Sequence, residues 1–261
     1  MIGHLGILAL TGASGTGKST IAQLLSDLTT SQSQGQHPIV AIDMSKIIEW
    51  AAGNNDDLGI RVRLAKDMQK AGKFMPDQII DECLMAWLEH VWPHKIRRNF
   101  QRPCLIVVGL PRRRGQNAIV EKFPRRAVVH VEATFEQTLH ARGLRMGRVA
   151  DKKREDDLGG RAVAESLWNE YVQGVIPAMN TFNGPVCSIR LDHPRVMLSS
   201  ILGFLDRHDR HSPIGRNARD HAMHRLLRKD HPIQRKLDNM TQDAENLIRI
   251  ASMKRSVLVA S

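Results

Sequence analysis

Five short apolar runs divide the chain, and polar, glycine-rich or helix-patterned stretches lie between them. Each run has the length of a buried β-strand, and most of the intervening stretches are long enough to form helices. Strands that alternate with helices predict βαβ units, in which helices cover both faces of a parallel sheet. The predicted strands are Leu5–Leu10, Pro38–Ile42, Cys104–Val108, Ala127–Val131 and Val186–Leu191.

Helical spacing is clearest after the first strand. The stretch Lys18–Leu28 predicts an amphipathic helix, because apolar residues recur every three or four positions, at Ile21, Leu24, Leu25 and Leu28. From residue 45 to about residue 90 the pattern is again mostly helical, with breaks at residues 52–57 and 72–76. A helical insertion is therefore expected between the second and third strands.

The chain changes character after residue 205. Residues 206–261 hold 12 Lys and Arg against 7 Asp and Glu, together with five His, and they contain no clear strand. Amphipathic helices are predicted around Ala222–Leu227 and Ala244–Ile250. We expect residues 1–205 to form the α/β domain and residues 206–261 a basic extension. This extension either packs on the core or remains mobile, or it contacts nucleic acid through its charge.

Composition limits the class of protein. The 261 residues are 42% hydrophobic and 25% charged, which fits a folded domain. No apolar run reaches the roughly 18 residues that a membrane span needs, and the net charge of +11 favours anionic partners. The three cysteines are widely spaced, which disfavours a disulfide framework or a zinc site. We therefore expect a cytoplasmic protein with buried thiols and no membrane partner.

The most specific motif follows the first strand. Residues 12–20 read GASGTGKST, which satisfies GxxxxGK[ST] between a strand and a helix. Glycines let the backbone N–H groups point inward around phosphates, and the helix N-terminus adds partial positive charge. The lysine can reach the β- and γ-phosphates, and the following hydroxyl can bind Mg²⁺. The predicted ATP-binding residues in this phosphate loop are Gly12, Ser14, Gly15, Thr16, Gly17, Lys18, Ser19 and Thr20.

Four blocks together resemble the adenylate kinases and their nucleoside monophosphate kinase relatives, over roughly residues 4–205. The blocks are GASGTGKST at residue 12, DMSK at residue 43, AGKFMPD at residue 71, and GLPR at residue 109 with a glutamine at 116. The resemblance implies a three-layer α/β/α fold of the phosphate-loop NTPase type, with a five-stranded parallel sheet. It also implies a helical acceptor-binding insertion (44–90), a short lid (143–157) and a helical C-terminal extension.

The resemblance implies a reaction and assigns roles to residues. The γ-phosphoryl group of Mg-ATP would pass to a nucleoside monophosphate, with AMP as the first candidate. Arg112 would hold the acceptor phosphate, and Gln116 would read the adenine edge. The implied acceptor-binding residues are Asp43, Lys46, Met75, Gly109, Arg112 and Gln116, and the implied metal ligands are Ser19 and Asp43.

The lid and the donor base complete the implied site. Arg142 would stack on the donor base, and Arg148 and Arg154 in the lid would brace the transferring phosphoryl group. With Lys18 and Arg112, these two lid arginines form the implied catalytic set. Residues 113 and 114 are arginines with no counterpart in the family, and we expect them to be solvated turn residues.

Several positions depart from the family pattern, including Lys46 in place of an arginine, and these departures leave alternatives open. Val108 stands where the family has an aspartate near the metal, and Leu167 stands where it has an arginine. Besides a monomeric kinase with an AMP-like acceptor, two functions remain. One is a phosphate-loop kinase that acts on another small molecule or a nucleic-acid end. The other is a nucleotide- or nucleic-acid-binding relative with little turnover.

Overall fold

The computed structural model describes residues 4–29, 39–70, 75–92, 103–147 and 160–228, together with 233–234 and 237–238. Within these residues the chain forms one five-stranded parallel sheet in the order β2-β3-β1-β4-β5. The predicted fold class is confirmed. The strands are β1 Gly6–Gly12, β2 Ile39–Asp43, β3 Cys104–Val108, β4 Arg125–Glu132 and β5 Val186–Arg190.

The predicted strands differ from the observed ones by one to two residues at several ends. β1 continues through Thr11 and Gly12, because β4 continues beside it and pairs these residues with His130 and Val131. β4 also begins earlier than predicted, since Arg125 and Arg126 pair with the start of β1 despite their charge. Pairing with a neighbouring strand therefore extends strands beyond their apolar runs.

Helices connect the strands and cover both faces of the sheet. A 3-10 turn at Arg114–Gln116 and a π-helical turn at Tyr171–Val175 interrupt the α-helical pattern. The α-helices are α1 Lys18–Thr29, α2 Met44–Ala52, α3 Asp57–Lys70, α4 Asp77–His90, α5 Asn117–Glu121, α6 Phe135–Gly147, α7 Gly160–Glu170, α8 Ile176–Thr181, α9 Pro194–Arg207 and α10 Arg216–Leu227. The helical insertion predicted between β2 and β3 corresponds to α2, α3 and α4.

Alternating residues of the central strand separate two hydrophobic cores. In β1, Leu8 and Leu10 face the core that contains α1, α9 and α10. Ile7 and Ala9 face the opposite core, which contains α2, α3, α4 and α5. This period of two is what a strand buried on both faces requires. The result is a three-layer α/β/α arrangement.

The first core continues past residue 206. Ile214, Ala218, Ala222 and Leu226 are buried in it, and α10 presents the last three at intervals of four residues. Ile233 and Leu237 belong to the same core. As far as it is described, the extension expected after residue 205 therefore packs against this core. The helix expected around Ala244–Ile250 lies outside the described residues.

Two of the three thiols match the sequence-based expectation of burial. Cys83 and Cys104 are buried, and burial raises their thiol pKa values to about 11 and about 12. Cys187 is half-buried, and burial raises its pKa as well. No helix in the described part of the chain is long and apolar enough to cross a lipid bilayer.

Candidate functional site

The phosphate loop lies between β1 and α1, at the carboxyl edge of the sheet. Gly12, Gly15 and Gly17 have φ values of 140°, 91° and 72°. Residues with a Cβ atom rarely adopt such angles, so the sequence needs glycine at these positions. Gly12 also lies against β4, where an added Cβ would be 2.4 Å from the carbonyl oxygen of Val131.

Hydrogen bonds within the loop fix its curled shape. The Thr16 hydroxyl is buried and donates to the carbonyl oxygen of Ala13 at 3.0 Å. Lys18 Nζ donates to the same carbonyl at 2.5 Å and to Thr16 Oγ1 at 3.1 Å. The lysine side chain therefore curls over the loop, where its charge can meet an anion. Ser14 is half-buried in the loop, and Ser19 and Thr20 are exposed in the first turn of α1.

The two implied metal ligands lie next to each other although 24 residues separate them. Ser19 Oγ donates to Asp43 Oδ2 at 3.0 Å. The other carboxylate oxygen, Oδ1, accepts from the backbone N–H of Ser45 at 3.1 Å and thereby caps α2. The cap fixes the carboxylate, so that Oδ2 faces the phosphate loop.

The pair of oxygens fits Mg²⁺. This ion binds hard oxygen ligands at about 2.1 Å in an octahedron, so neighbouring ligands lie about 3 Å apart. Mg²⁺ in nucleotide sites commonly takes only one or two protein oxygens and completes its shell with waters and phosphates. Among the described residues no group of three or more His, Cys, Asp and Glu forms an all-protein metal site. Ser19 and Asp43 are the residues that would hold a nucleotide-bound Mg²⁺ here.

The loop after β3 carries the arginine predicted to hold the acceptor phosphate. Gly109 opens this loop with φ 93°, and a cis peptide bond joins Leu110 to Pro111. The buried hydroxyl of Thr11 donates to the carbonyl oxygen of Pro111 at 2.6 Å, which ties this loop to the strand that bears the phosphate loop. Arg112 is exposed, and its Nε donates to the carbonyl oxygen of Gly109 at 3.3 Å. Its guanidinium group therefore stands at the carboxyl edge beside the phosphate loop.

The expectation for Arg113 was wrong. Arg113 Nε donates to Asp77 Oδ1 at 2.6 Å, and its Nη2 donates to the carbonyl oxygen of Met75 at 2.5 Å. Its side chain is 31% exposed and joins the β3 loop to the start of α4. The partner lies 36 residues earlier in the chain, so local sequence gave no sign of this ion pair. Arg114, in contrast, is exposed as predicted.

Gln116 is held in the same network. Its side-chain oxygen accepts from the backbone N–H of Arg112 at 2.8 Å, and its amide nitrogen donates to Asp77 Oδ1 at 2.9 Å. Gln116 is only 2% exposed, and Met75 is also 2% exposed. Both residues were predicted to bind the acceptor, and in this structure both are engaged in protein contacts.

A buried histidine links β4 to the π-helical turn. His130 Nε2 and the Tyr171 hydroxyl are 2.9 Å apart, and His130 Nδ1 lies 3.2 Å from Ser188 Oγ. Burial lowers the pKa of His130, and the nearby Lys18 charge lowers it further against the opposing effect of Glu132. The His130 imidazole, which lies next to the phosphate loop, is therefore harder to protonate than a free histidine side chain.

The π-helical turn also contacts the phosphate loop and the β3 loop. Tyr171 and Val175 pack on Ala13. Gly174 lies so close to the β3 loop that an added Cβ would be 2.3 Å from the carbonyl oxygen of Arg112. Burial raises the pKa of Glu170, just before the turn, and the Arg112 charge opposes that rise. Turns of this kind occur mostly as single insertions and are frequent at functional sites.

Arg142 lies beside the phosphate loop on α6. It is 4% exposed, and its Cγ is 3.6 Å from the position that a Cβ on Gly15 would take. At this point the two helices α6 and α7 meet the phosphate loop, and the residues there are Ala13, Ser14, Thr138, Arg142, Ala164, Leu167 and Trp168. The role of Arg142 at the donor base remains a prediction.

The remaining site predictions divide into two groups. Lys46 is exposed on α2, one turn into the helix that Asp43 caps. Arg148 and Arg154, and with them most of the predicted lid, lie outside the described residues. The described site is thus the edge formed by the phosphate loop, Asp43 and the β3 loop, and sequence reasoning missed the contributions of Asp77, Arg113 and His130 to it.

Comparisons with known proteins give distant similarities of fold. No protein-family model and no curated protein matches the chain. Among solved structures, a gluconokinase from Sinorhizobium meliloti 1021 is 13% identical, with 79% of this chain and 94% of that chain covered and a TM-score of 0.45. Shikimate kinase from Acinetobacter baumannii in complex with shikimate is 16% identical, with 78% and 94% covered and a TM-score of 0.45. Chaetomium thermophilum Kti12 in complex with ADP-AlF3 is 15% identical, with 76% and 97% covered and a TM-score of 0.46. At these values the matches carry no weight for activity, which has to be inferred from the chain's own residues.

Proposed function

We propose that this protein is an ATP-dependent phosphotransferase whose acceptor is a nucleoside monophosphate. One observation carries the proposal. Three neighbouring strands, β2, β3 and β1, end at the same edge with Asp43, the Arg112 loop and the phosphate loop. The carboxyl edge of a parallel sheet is where ligands bind in this class of fold.

The chemistry of phosphoryl transfer fits these groups. Transfer needs two phosphates held in line and positive charge around the equatorial oxygens, with little covalent help from protein. Lys18 and the backbone of the phosphate loop would hold the donor phosphates, and Mg²⁺ bound through Ser19 and Asp43 would neutralise charge between them. Arg112 would hold the acceptor phosphate through bidentate hydrogen bonds. Because the acceptor phosphate is already an anion, no strong general base is required.

AMP remains the first acceptor to test, with Arg148 and Arg154 as the proposed lid arginines. The alternatives, another small-molecule or nucleic-acid acceptor and a binding protein with little turnover, predict no nucleoside diphosphate from a monophosphate. Val108 favours the last alternative, because this valine is buried at the end of β3 and supplies no carboxylate where the related kinases have one.

A product assay separates these functions. The full chain is incubated with Mg-ATP and one of AMP, CMP, UMP, GMP or dAMP, and nucleotides are separated by ion-exchange chromatography. We expect diphosphate formation that falls about 100-fold or more in Arg112→Ala, since such a clamp sets the position of the acceptor. Arg114→Ala, which removes an exposed neighbouring arginine, should retain wild-type turnover. ATP binding without product from any acceptor would contradict the proposal.

A further inference from the structure

Two residues predicted to bind the acceptor, Gln116 and Met75, are both engaged in hydrogen bonds with the protein itself. An amide side chain reads an adenine edge by using its oxygen and its nitrogen at once. In this chain Gln116 Oε1 accepts from the backbone N–H of Arg112, and Gln116 Nε2 donates to Asp77 Oδ1. At 2% exposure the amide offers neither atom to a base.

Arg113 forms hydrogen bonds to both Asp77 and Met75. Its Nη2 donates to the carbonyl oxygen of Met75, which was predicted to bind the acceptor, and its Nε donates to Asp77 Oδ1. One carboxylate oxygen of Asp77 therefore accepts from both Arg113 and Gln116. Arginine provides this double contact through its planar array of donors, and a lysine at the same position would not.

The backbone around the network is shaped for the approach of Asp77. A Cβ atom on Gly115 would lie 2.2 Å from Asp77 Oδ2, so the carboxylate occupies the space that a side chain at residue 115 would fill. The Arg113–Asp77 pair is about one-third exposed on each side. To free Gln116 for a base, its hydrogen bonds to Asp77 and Arg112 would have to be broken in a nearly buried position, which is costly unless each is replaced.

Resting on the proposed function, we propose that Arg113 closes the base side of the acceptor site, so that this protein selects its acceptor by the phosphate and discriminates little between bases. Arg112 is an exposed cation of this loop, and a guanidinium group there would recognise a phosphate monoester whatever group the phosphate carries. The acceptor class is then phosphate monoesters, including nucleoside monophosphates of any base. Arg113 acts as a specificity-determining residue because it occupies Asp77 and Met75.

Equilibrium binding tests this without requiring turnover. The full chain is loaded with Mg²⁺ and a non-hydrolysable ATP analogue and titrated calorimetrically with AMP, CMP, UMP, GMP and ribose 5-phosphate. We expect dissociation constants for the four nucleotides within about threefold of each other, less than one base-reading pair would give. Ribose 5-phosphate should bind in the same range, and Gln116→Leu should shift all five values by a common factor.

The proposed role of Arg113 is tested by Arg113→Ala, with Arg114→Ala as the matched control. Arg113 holds Asp77 Oδ1 beside Gln116, so loss of Arg113 should let the Asp77 carboxylate turn to solvent and free Gln116 Nε2. The AMP to CMP affinity ratio should then change by about tenfold or more, the discrimination of one good bidentate pair. That new preference should disappear in the Arg113→Ala, Gln116→Leu double variant, while Arg114→Ala should behave as wild type. An unchanged AMP to CMP affinity ratio in Arg113→Ala would refute the proposed role of Arg113.

The outcomes separate this inference from the proposed function. If the wild type prefers AMP about tenfold and Gln116→Leu removes the preference, Gln116 reads the base. The inference is then wrong while the kinase proposal stands. The comparison of the wild type with Gln116→Leu needs no Arg113 variant. It therefore decides whether the protein discriminates between bases even if Arg113→Ala fails to fold. If no phosphate monoester binds while the ATP analogue does, the proposed function and the inference both fail.

Discussion

Gly174 offers a direct test of how the π-helical turn holds the acceptor arginine. In Gly174→Ala, the new Cβ would lie 2.3 Å from the carbonyl oxygen of Arg112. Carbon and oxygen atoms seldom approach closer than about 3.3 Å, so the turn or the Arg112 loop must move by about 1 Å. The contact is with backbone atoms, which cannot rotate away as a flexible side chain can.

Two opposing effects set the size of the change in stability. Alanine is favoured over glycine in helices by up to about 1 kcal/mol, whereas overpacking a close contact costs about 1–3 kcal/mol. Gly203→Ala in α9 isolates the first effect, because its Cβ would meet the flexible end of Arg207 at an ordinary 3.7 Å. We expect Gly203→Ala to equal or exceed the wild type in stability. Gly174→Ala should be about 1–3 kcal/mol less stable than Gly203→Ala, since helix propensity nearly cancels between them.

Urea unfolding followed by circular dichroism measures this difference in the free energy of unfolding. Under the proposed function, a displacement of about 1 Å at a phosphate-holding arginine should also lower kcat/KM for the acceptor by up to about 100-fold. Gly203→Ala should leave it unchanged. Gly174→Ala that unfolds at the same urea concentration as Gly203→Ala, with unaltered acceptor kinetics, would refute the link between the turn and Arg112.

Three other changes test the metal site, the buried histidine and the thiols. Asp43→Asn should raise the Mg²⁺ concentration needed for half-maximal ATP binding, measured by titration, while the urea midpoint stays near wild type because asparagine caps helices as well as aspartate does. The lowered pKa of His130 means that the unfolded chain takes up a proton more readily than the folded one, so the unfolding free energy should fall as pH drops below about 6.5. His130→Gln should flatten that part of the pH profile, and an identical profile would contradict this assignment. Alkylation of the folded protein at pH 8 should label the half-buried Cys187 first, and Cys83 and Cys104 should be labelled only in urea. Peptide mass spectrometry measures the labelling of each cysteine, and uniform labelling would contradict this prediction.

The sheet could be predicted from sequence because its signals are local. Five apolar runs and one glycine-rich motif suffice to give the strands, their parallel arrangement and the position of the phosphate loop. The pairing of Ser19 with Asp43 was implied by the family resemblance, and it forms because β1 and β2 end at the same edge of the sheet although β3 lies between them. The strands and the phosphate loop can be predicted because the residues within each segment determine its structure.

The network around Gln116 could not be predicted, because it depends on partners far apart in the chain. Asp77 lies 36 residues before Arg113 and 39 before Gln116, and none of the three has a neighbour in sequence that indicates the contact. His130 is a similar case, since it lies within an apolar run and its hydroxyl partner Tyr171 is 41 residues away. Polar side chains in such positions take their function from tertiary contacts that periodicity does not encode.

The same distant contacts explain how the two phosphate-binding elements keep a fixed relation. Thr11 ties β1 directly to the loop of Arg112 through the carbonyl oxygen of Pro111. The π-helical turn forms a second link, since Tyr171 contacts Ala13 and His130 on one side and Gly174 contacts the Arg112 backbone on the other. Because the Thr11 hydrogen bond and the π-helical turn both hold the loop of Arg112, this loop keeps its position relative to the phosphate loop when a ligand leaves. Phosphoryl transfer requires such a fixed relation, since the two phosphates must be held in line.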